Sequence, residues 1–162
     1  MNKYIEKVEN SILRTIQEEI FIEKNEFNYI HGWLIEENYS DKILNGKKNE
    51  KNYPFILIRP ERFEQQGKNG ITERIQRFLI RVGIKERESD GYQKIIEIRD
   101  RIISYFTEYS YSTGNNSYNL SLEMSSCINE EMTVGDYWGI DIFINAIIPN
   151  INEHRSLKKL GL

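Results

Sequence analysis

Cysteine is almost missing from this sequence. Cys127 is the single one among 162 residues, so no intrachain disulfide can form and a reducing compartment is the expected setting. Histidine is scarce as well: His31 and His154 stand without a Cys or acidic neighbour at metal-ligand spacing, which removes the usual zinc patterns. No run of about 18 apolar residues occurs, so no helical membrane span is expected. The charged first ten residues do not read as a targeting signal, which makes the cytoplasm the expected location. Neither Glu-x-Lys nor Asp-x-Lys occurs anywhere, which excludes the nucleases that pair a metal-holding carboxylate with a lysine two residues on. Gly67-Lys68-Asn69-Gly70 lacks both the earlier glycine and the following Ser/Thr of a phosphate loop. A net charge of -3 and a pI of about 5.6 speak against a dedicated nucleic-acid binder.

What is present points to one packed domain. Aromatic residues make up 12% of the chain, too many for intrinsic disorder, and the length suffices for a core without staples. The expected division is a single domain, 1–162, with an N-terminal helix and variable segment at 1–52, an α+β core at 53–150 and a tail at 151–162. Ile5, Val8, Ile12, Ile16 and Ile20 recur every three or four residues, the stripe of an amphipathic helix from Asn2 to Ile22 with Asn2 as its N-cap. Phe27–Ile35 mixes its phases and reads as a strand or a short helix. Ser40–Asn52 is polar and reads as a mobile loop. Tyr53–Arg59 (YPFILIR) is a buried strand between Pro54 and Pro60, followed by a turn region at Glu61–Gly70. Arg74–Ile84 alternates as a half-buried strand, with Phe78, Ile80, Val82 and Ile84 on one face and Arg77, Leu79 and Arg81 on the other. These two strands form a hairpin with a long polar tip, Arg62–Gly70.

Ser89 or Asp90 caps a second helix over Tyr92–Glu108, whose stripe is Ile95, Ile98, Ile102 and Phe106. Thr113-Gly114-Asn115-Asn116 breaks it. Tyr118–Met124 then alternates as a strand, Cys127–Asp136 is a polar connection, and Tyr137–Ile148 is a last strand ended by Pro149. The order of helix, unassigned segment, two strands, helix and two strands predicts an α+β fold: an antiparallel or mixed four-stranded sheet with helices packed on it.

Candidate reactive groups are few. Cys127 has no histidine near it in sequence, so a catalytic thiol is not supported. Asp136 and Asp141 flank Tyr137-Trp138-Gly139. An acid/base pair is one reading, and a turn cap beside a wet-face carboxylate is the preferred one. Arg77 and Arg81 share a strand face, where they either pair with acids, touch a phosphate backbone or stand in solvent. Residues 55–101 carry 11 Lys/Arg against 8 Asp/Glu, whereas 102–152 hold no base and six acids: Glu108, Glu123, Glu130, Glu131, Asp136 and Asp141. Unlike ends suit head-to-tail contacts between copies, although chance segregation on one surface gives the same pattern. No catalytic, metal-binding or cofactor-binding residue is assigned.

The ordered set YPFILIR, a polar hairpin tip, IQRFLIRVGI, Asp90-Gly91-Tyr92-Gln93 leading into a helix, YNLSLEM, an acidic loop and YWGIDIFINAIIP resembles the tail-terminator, or tail-completion, proteins of Gram-positive phages and phage-tail-like particles. It spans Tyr53–Asn150, about three-fifths of the chain. The resemblance implies a structural α+β subunit and no enzyme. Such subunits form a homo-hexameric ring that caps the tail tube, ends its polymerisation and joins it to neck or connector proteins or, in contractile tails and bacteriocin-like particles, to the sheath. DNA would be only passing cargo. The setting would be the host bacterial cytoplasm during assembly and then the virion. Candidate subunit or tube contacts are Arg62, Gln65, Lys68, Arg77, Arg81, Asp136 and Asp141. The alternatives that stay open are a neighbouring neck subunit, a small hydrolase or nuclease with a site assembled only in three dimensions, and a generic adaptor domain.

Overall fold

A computed structural model describes residues 3–22, 27–34, 52–68, 70–112 and 118–149. The stripe at Ile5 folds as predicted into α1 (Lys3–Thr15), but regular pitch ends early. Ile16–Ile20 form one π-helical turn, closed by Phe21 N donating to Ile16 O at 3.0 Å. Arg101, from the second helix, donates to the Ile20 carbonyl and lies 4.7 Å over the Phe21 ring. A cation thus satisfies the carbonyl end of the helix. Asn2, the expected cap, lies outside the described residues.

The remaining elements are β1 (Asn28–His31), β2 (Phe55–Lys68), β3 (Ile71–Lys85), α2 (Glu88–Glu108), β4 (Tyr111–Ser112), β5 (Tyr118–Asn119), β6 (Ser125–Ile128) and β7 (Tyr137–Ile147). One sheet has the order β1-β2-β3-β7-β6, with β1 parallel to β2 and every other pair antiparallel, while β4 and β5 form a separate pair. The α+β class is as expected, but the main sheet is five-stranded and mixed rather than four-stranded. Part of the expected Phe27–Ile35 segment joins it as β1. Ile35 and all but the last residue of the expected Ser40–Asn52 loop lie outside the described residues, as does the tail at 151–162.

Two expectations near the C-terminus are overturned. Tyr118–Met124 alternates because Tyr118 and Leu120 drop into the core, yet its backbone pairs only briefly, with β4 and through a single Leu120–Ala146 bridge. The fourth partner strand is instead β6, which begins before Cys127 in the supposed polar connection. An edge strand with one exposed face has little need of large apolar residues, so SSCI carries a weak sequence signal.

The hairpin also differs. Pro60 does not end β2: it sits at a bulge, where the register shifts between Pro60 and Arg62. Its missing N–H is tolerated because β1 pairs only as far as Ile58. From the bulge β2 continues to Lys68, which pairs with Ile71, so most of the predicted tip is strand within a long ribbon. A ribbon wet on both faces has the composition of a loop. Nor is α2 capped by Ser89 or Asp90. Arg87 is its N-cap, without a side-chain bond, and its carbonyl accepts from Asp90 N and Gly91 N at 2.9 and 2.7 Å. Glu88 and Asp90 lie inside the first turn, where negative charge favours the helix dipole.

The core lies between one sheet face and the helices. Ile56, Ile58, Phe78, Ile80, Val82, Ile84, Ile140, Ile142 and Ile144 pack against Ile95, Ile98, Ile102 and Phe106 of α2 and Val8, Ile12 and Ile16 of α1. Each such side chain, once fully buried, stabilises the fold by about 1.5–3 kcal/mol. The opposite sheet face carries a smaller cluster, Leu34, Phe55 and Leu57, with Ile30, Tyr53 and Met132 against it.

Candidate interaction surface

Register decides the chemistry of the face opposite the helices. Arg81 of β3 stands directly across from Asp141 of β7, so their side chains share that face. The pair is bidentate, Nε to Oδ1 at 2.8 Å and Nη2 to Oδ2 at 3.1 Å, with the two side chains only 15% and 11% exposed. Asn129 Nδ2 donates to the same carboxylate at 3.3 Å. Asp141 is therefore not the wet-face residue the alternation predicted; it is locked into a buried ion pair. Asn129 also accepts, through its side-chain and backbone oxygens, from the amides of Met132 and Thr133, and Thr133 Oγ1 accepts from Gly139 N at 3.2 Å. The acidic 129–136 segment is thereby tied to β7. Asp136 stands apart from this network, exposed in the turn before β7, its carbonyl accepting from Glu86 N at 2.8 Å. Among the described contacts none joins Asp136 to Asp141, so no acid/base pair forms.

The other cations of this face lie on aromatic rings. Arg59 stacks 3.5 Å over Trp33, and Arg77 lies 4.1 Å over Phe143 while donating to Ser125 Oγ at 3.3 Å. Arg77 faces Arg62 across the ribbon, a like-charge pair that would be unfavourable alone. Two carboxylates offset it: Glu64 at 2.6 Å from Arg62, and Glu61, the bulge residue, at 3.4 Å from Arg77.

Beyond these rungs the hairpin leaves the sheet. β7 accompanies β3 only to Ile75, and β1 accompanies β2 only to Ile58. Gly32 (φ 83) then turns the chain away from that edge, a conformation that L side chains rarely adopt. The last four rungs, Gln65–Arg74, Gln66–Glu73, Gly67–Thr72 and Lys68–Ile71, have no third strand in register beside them among the described residues. The arm is rooted by Ile148 N donating to Arg74 O at 2.8 Å. It exposes Phe63 and, at its end, Ile71 (73% exposed). Gln65 lies on this arm and Arg62 stands just before it, on a rung that β7 still accompanies; the side chain of Lys68 lies outside the described residues. Sequence reasoning expected a hairpin here with a polar tip at Arg62–Gly70, but not that the tip is paired as strand, although Asn69-Gly70 is a strong hairpin dipeptide.

Elsewhere the titratable groups are paired or dispersed. His31 Nδ1 stands 3.5 Å from Glu9 Oε2 between β1 and α1, and burial pushes the Glu9 carboxyl up, opposed in part by His31. A groove of about 340 Å³ along α2 is lined by Glu86, Asp90, Lys94, Glu97 and Arg101, with Lys94 donating to Glu86 at 3.0 Å and holding that carboxylate below its usual range. Cys127 is exposed on β6. Among the described residues no group of three or more His, Cys, Asp or Glu is placed to hold a metal ion, and no helix is long and apolar enough to cross a membrane. No family model matches the chain, and no curated protein matches it.

Proposed function

We propose that this protein is an assembly subunit of the tail-terminator kind: it forms a ring with its own copies, caps a tail tube and offers the joining surface for neck or sheath proteins. The projecting arm is the observation that carries this reading. A two-stranded ribbon is marginally stable in water by itself, and this one extends four rungs past its neighbours with Ile71 at its end. An arm of this form gains stability by lying on another surface. Gln65 and Lys68 on it, with Arg62 at its root, are the contact residues proposed. Arg81 and Asp141 support the sheet, because they satisfy each other. The separation of basic and acidic segments supports contacts between unlike faces, which a ring requires. A neck subunit at the same joint would use the same features and is the second reading.

The test is to shorten the arm by joining Gln65 to Arg74 through an Asn-Gly turn, which removes the last three rungs and keeps the hydrogen bond from Ile148 N to Arg74 O. The shortened protein should keep its circular dichroism spectrum, lose ring formation by light scattering, and fail to limit tube length in electron micrographs of co-assembled tubes. A folded, shortened protein that still forms rings and limits tube length would refute the proposal.

A further inference from the structure

We infer that the outer edge of the β2 arm is completed by β6 of a second copy of this chain; the inference rests on the ring reading above and names its interface. Within the described residues the main sheet ends in two unpaired edges, β2 beyond Ile58 on one side and β6 on the other. Exposed edges are templates for strand pairing, and natural proteins blunt them with lysine, proline or inward-pointing charge. β6 (Ser125, Ser126, Cys127, Ile128) has none of these. The one proline of the β2 edge, Pro60, stands at the bulge, before the arm begins.

Direction and charge both fit. β2 and β7 run the same way and β6 runs opposite to them. A copy placed alongside in the same orientation therefore sets its β6 antiparallel to the arm, the better-bonded arrangement. The hairpin from Glu61 to Arg77 carries four bases (Arg62, Lys68, Arg74, Arg77) against three acids (Glu61, Glu64, Glu73), whereas Tyr118–Asp136 carries four acids and no base. Like edges would repel or be inverted; unlike edges attract.

Closure also works. Through β3 and β7, β6 stands level with Ile56–Arg59 of β2, below the arm. To set Cys127 level with Glu64 on the face they share, each copy must therefore shift by about six residues, roughly 20 Å, along the strands. It shifts over a sideways step of four strands, roughly 19 Å. The strands then incline by about 46° to the ring axis, at the upper edge of the roughly 35–45° range of closed barrels. The offset is taken up as strand tilt, so the copies close instead of climbing into a filament.

Cys127 supplies the test, since it is the only cysteine and lies on β6. Its side chain shares the face of Asp141, and by alternation Glu64 and Gln66 share that face while Gln65 does not. Single Glu64→Cys and Gln66→Cys variants, oxidised with copper-phenanthroline at assembling concentrations, should give a ladder of disulfide-linked oligomers through Cys127. Gln65→Cys should give at least about tenfold less, and a Cys127→Ser background should abolish the ladder. Rings seen by light scattering without a ladder from either face-matched variant would overturn this inference and leave the ring reading standing. A protein that stays monomeric at every concentration and on tube ends would overturn both.

Discussion

Gly91→Ala is the substitution whose outcome the structure constrains most tightly. Gly91 is buried in the first turn of α2, its amide donating to Arg87 O at 2.7 Å. A Cβ there would stand 1.9 Å from Nε1, 2.3 Å from Cδ1 and 2.5 Å from Cε2 of Trp138. No real contact is that short, and the obstacle is a rigid indole. The ring cannot slip aside freely, because Trp138 lies opposite Ile84 in the sheet and edge-on to Tyr92 at 6.2 Å. Two effects oppose each other. Alanine favours a helix over glycine by about 1 kcal/mol. Overpacking of this kind costs about 1–3 kcal/mol, and a sub-van-der-Waals approach to a ring belongs at the upper end. The net expectation is a loss of about 1–2 kcal/mol, or a fall in Tm of roughly 3–8 °C for a domain of this size. Thermal and urea unfolding, followed by circular dichroism and tryptophan fluorescence, would measure it. Gly67→Ala, where an added Cβ meets nothing within 4 Å, should stay within about 0.5 kcal/mol of the parent and serves as control. Trp138→Leu in the Gly91→Ala background should recover part of the loss through non-additivity. A Gly91→Ala protein as stable as the parent would refute the packing argument.

Three further outcomes follow from other contacts. Asp141→Ala strands the Arg81 guanidinium on a mostly buried face and should cost about 3–5 kcal/mol, while the paired change Arg81→Met with Asp141→Leu should restore most of it. A double-mutant cycle in urea decides, and equal effects of the single and paired changes would count against a buried ion pair. The Glu9 carboxyl is raised by burial, so its neutral form is favoured in the folded state: its contribution to stability is full below the unfolded pKa and is lost as pH rises through the folded one. Glu9→Gln should therefore gain on the parent as pH is raised from about 4 to 7, and a stability difference that stayed flat would contradict the assignment. Truncating Phe106, fully buried on the core face of α2 with the Tyr118 ring at 5.9 Å, to alanine should cost about 3–5 kcal/mol of stability, read by the same unfolding curves.

Legibility in the sequence followed the strength of burial. Ile95, Ile98, Ile102 and Phe106 announced α2 by their spacing, and all four are buried. Phe78, Ile80, Val82 and Ile84 announced the inner face of β3 by alternation. The reading weakened wherever an element is wet on both faces or short. The distal arm carries no apolar alternation because nothing covers it among the described residues, so it passed for a loop. β6 spans four residues with one exposed face, and its signal was weaker than that of Tyr118–Met124, whose Tyr118 and Leu120 enter the core without forming a long strand while Leu122 stays exposed. Of the candidate contact residues, Arg77, Arg81 and Asp141 were legible as one strand face each, but not as partners.

By itself the sequence determined which positions turn inward along α2 and β3, since periodicity records the burial of each local segment, and it excluded an intrachain disulfide and the familiar metal and phosphate motifs. Tertiary structure alone decided which strand lies beside which. The parallel docking of β1, the pairing of Arg81 with Asp141 sixty residues away and the reach of the arm beyond its neighbours all depend on register between distant segments. Local patterning leaves register open, because any shift by two residues along a strand preserves the same inward and outward faces.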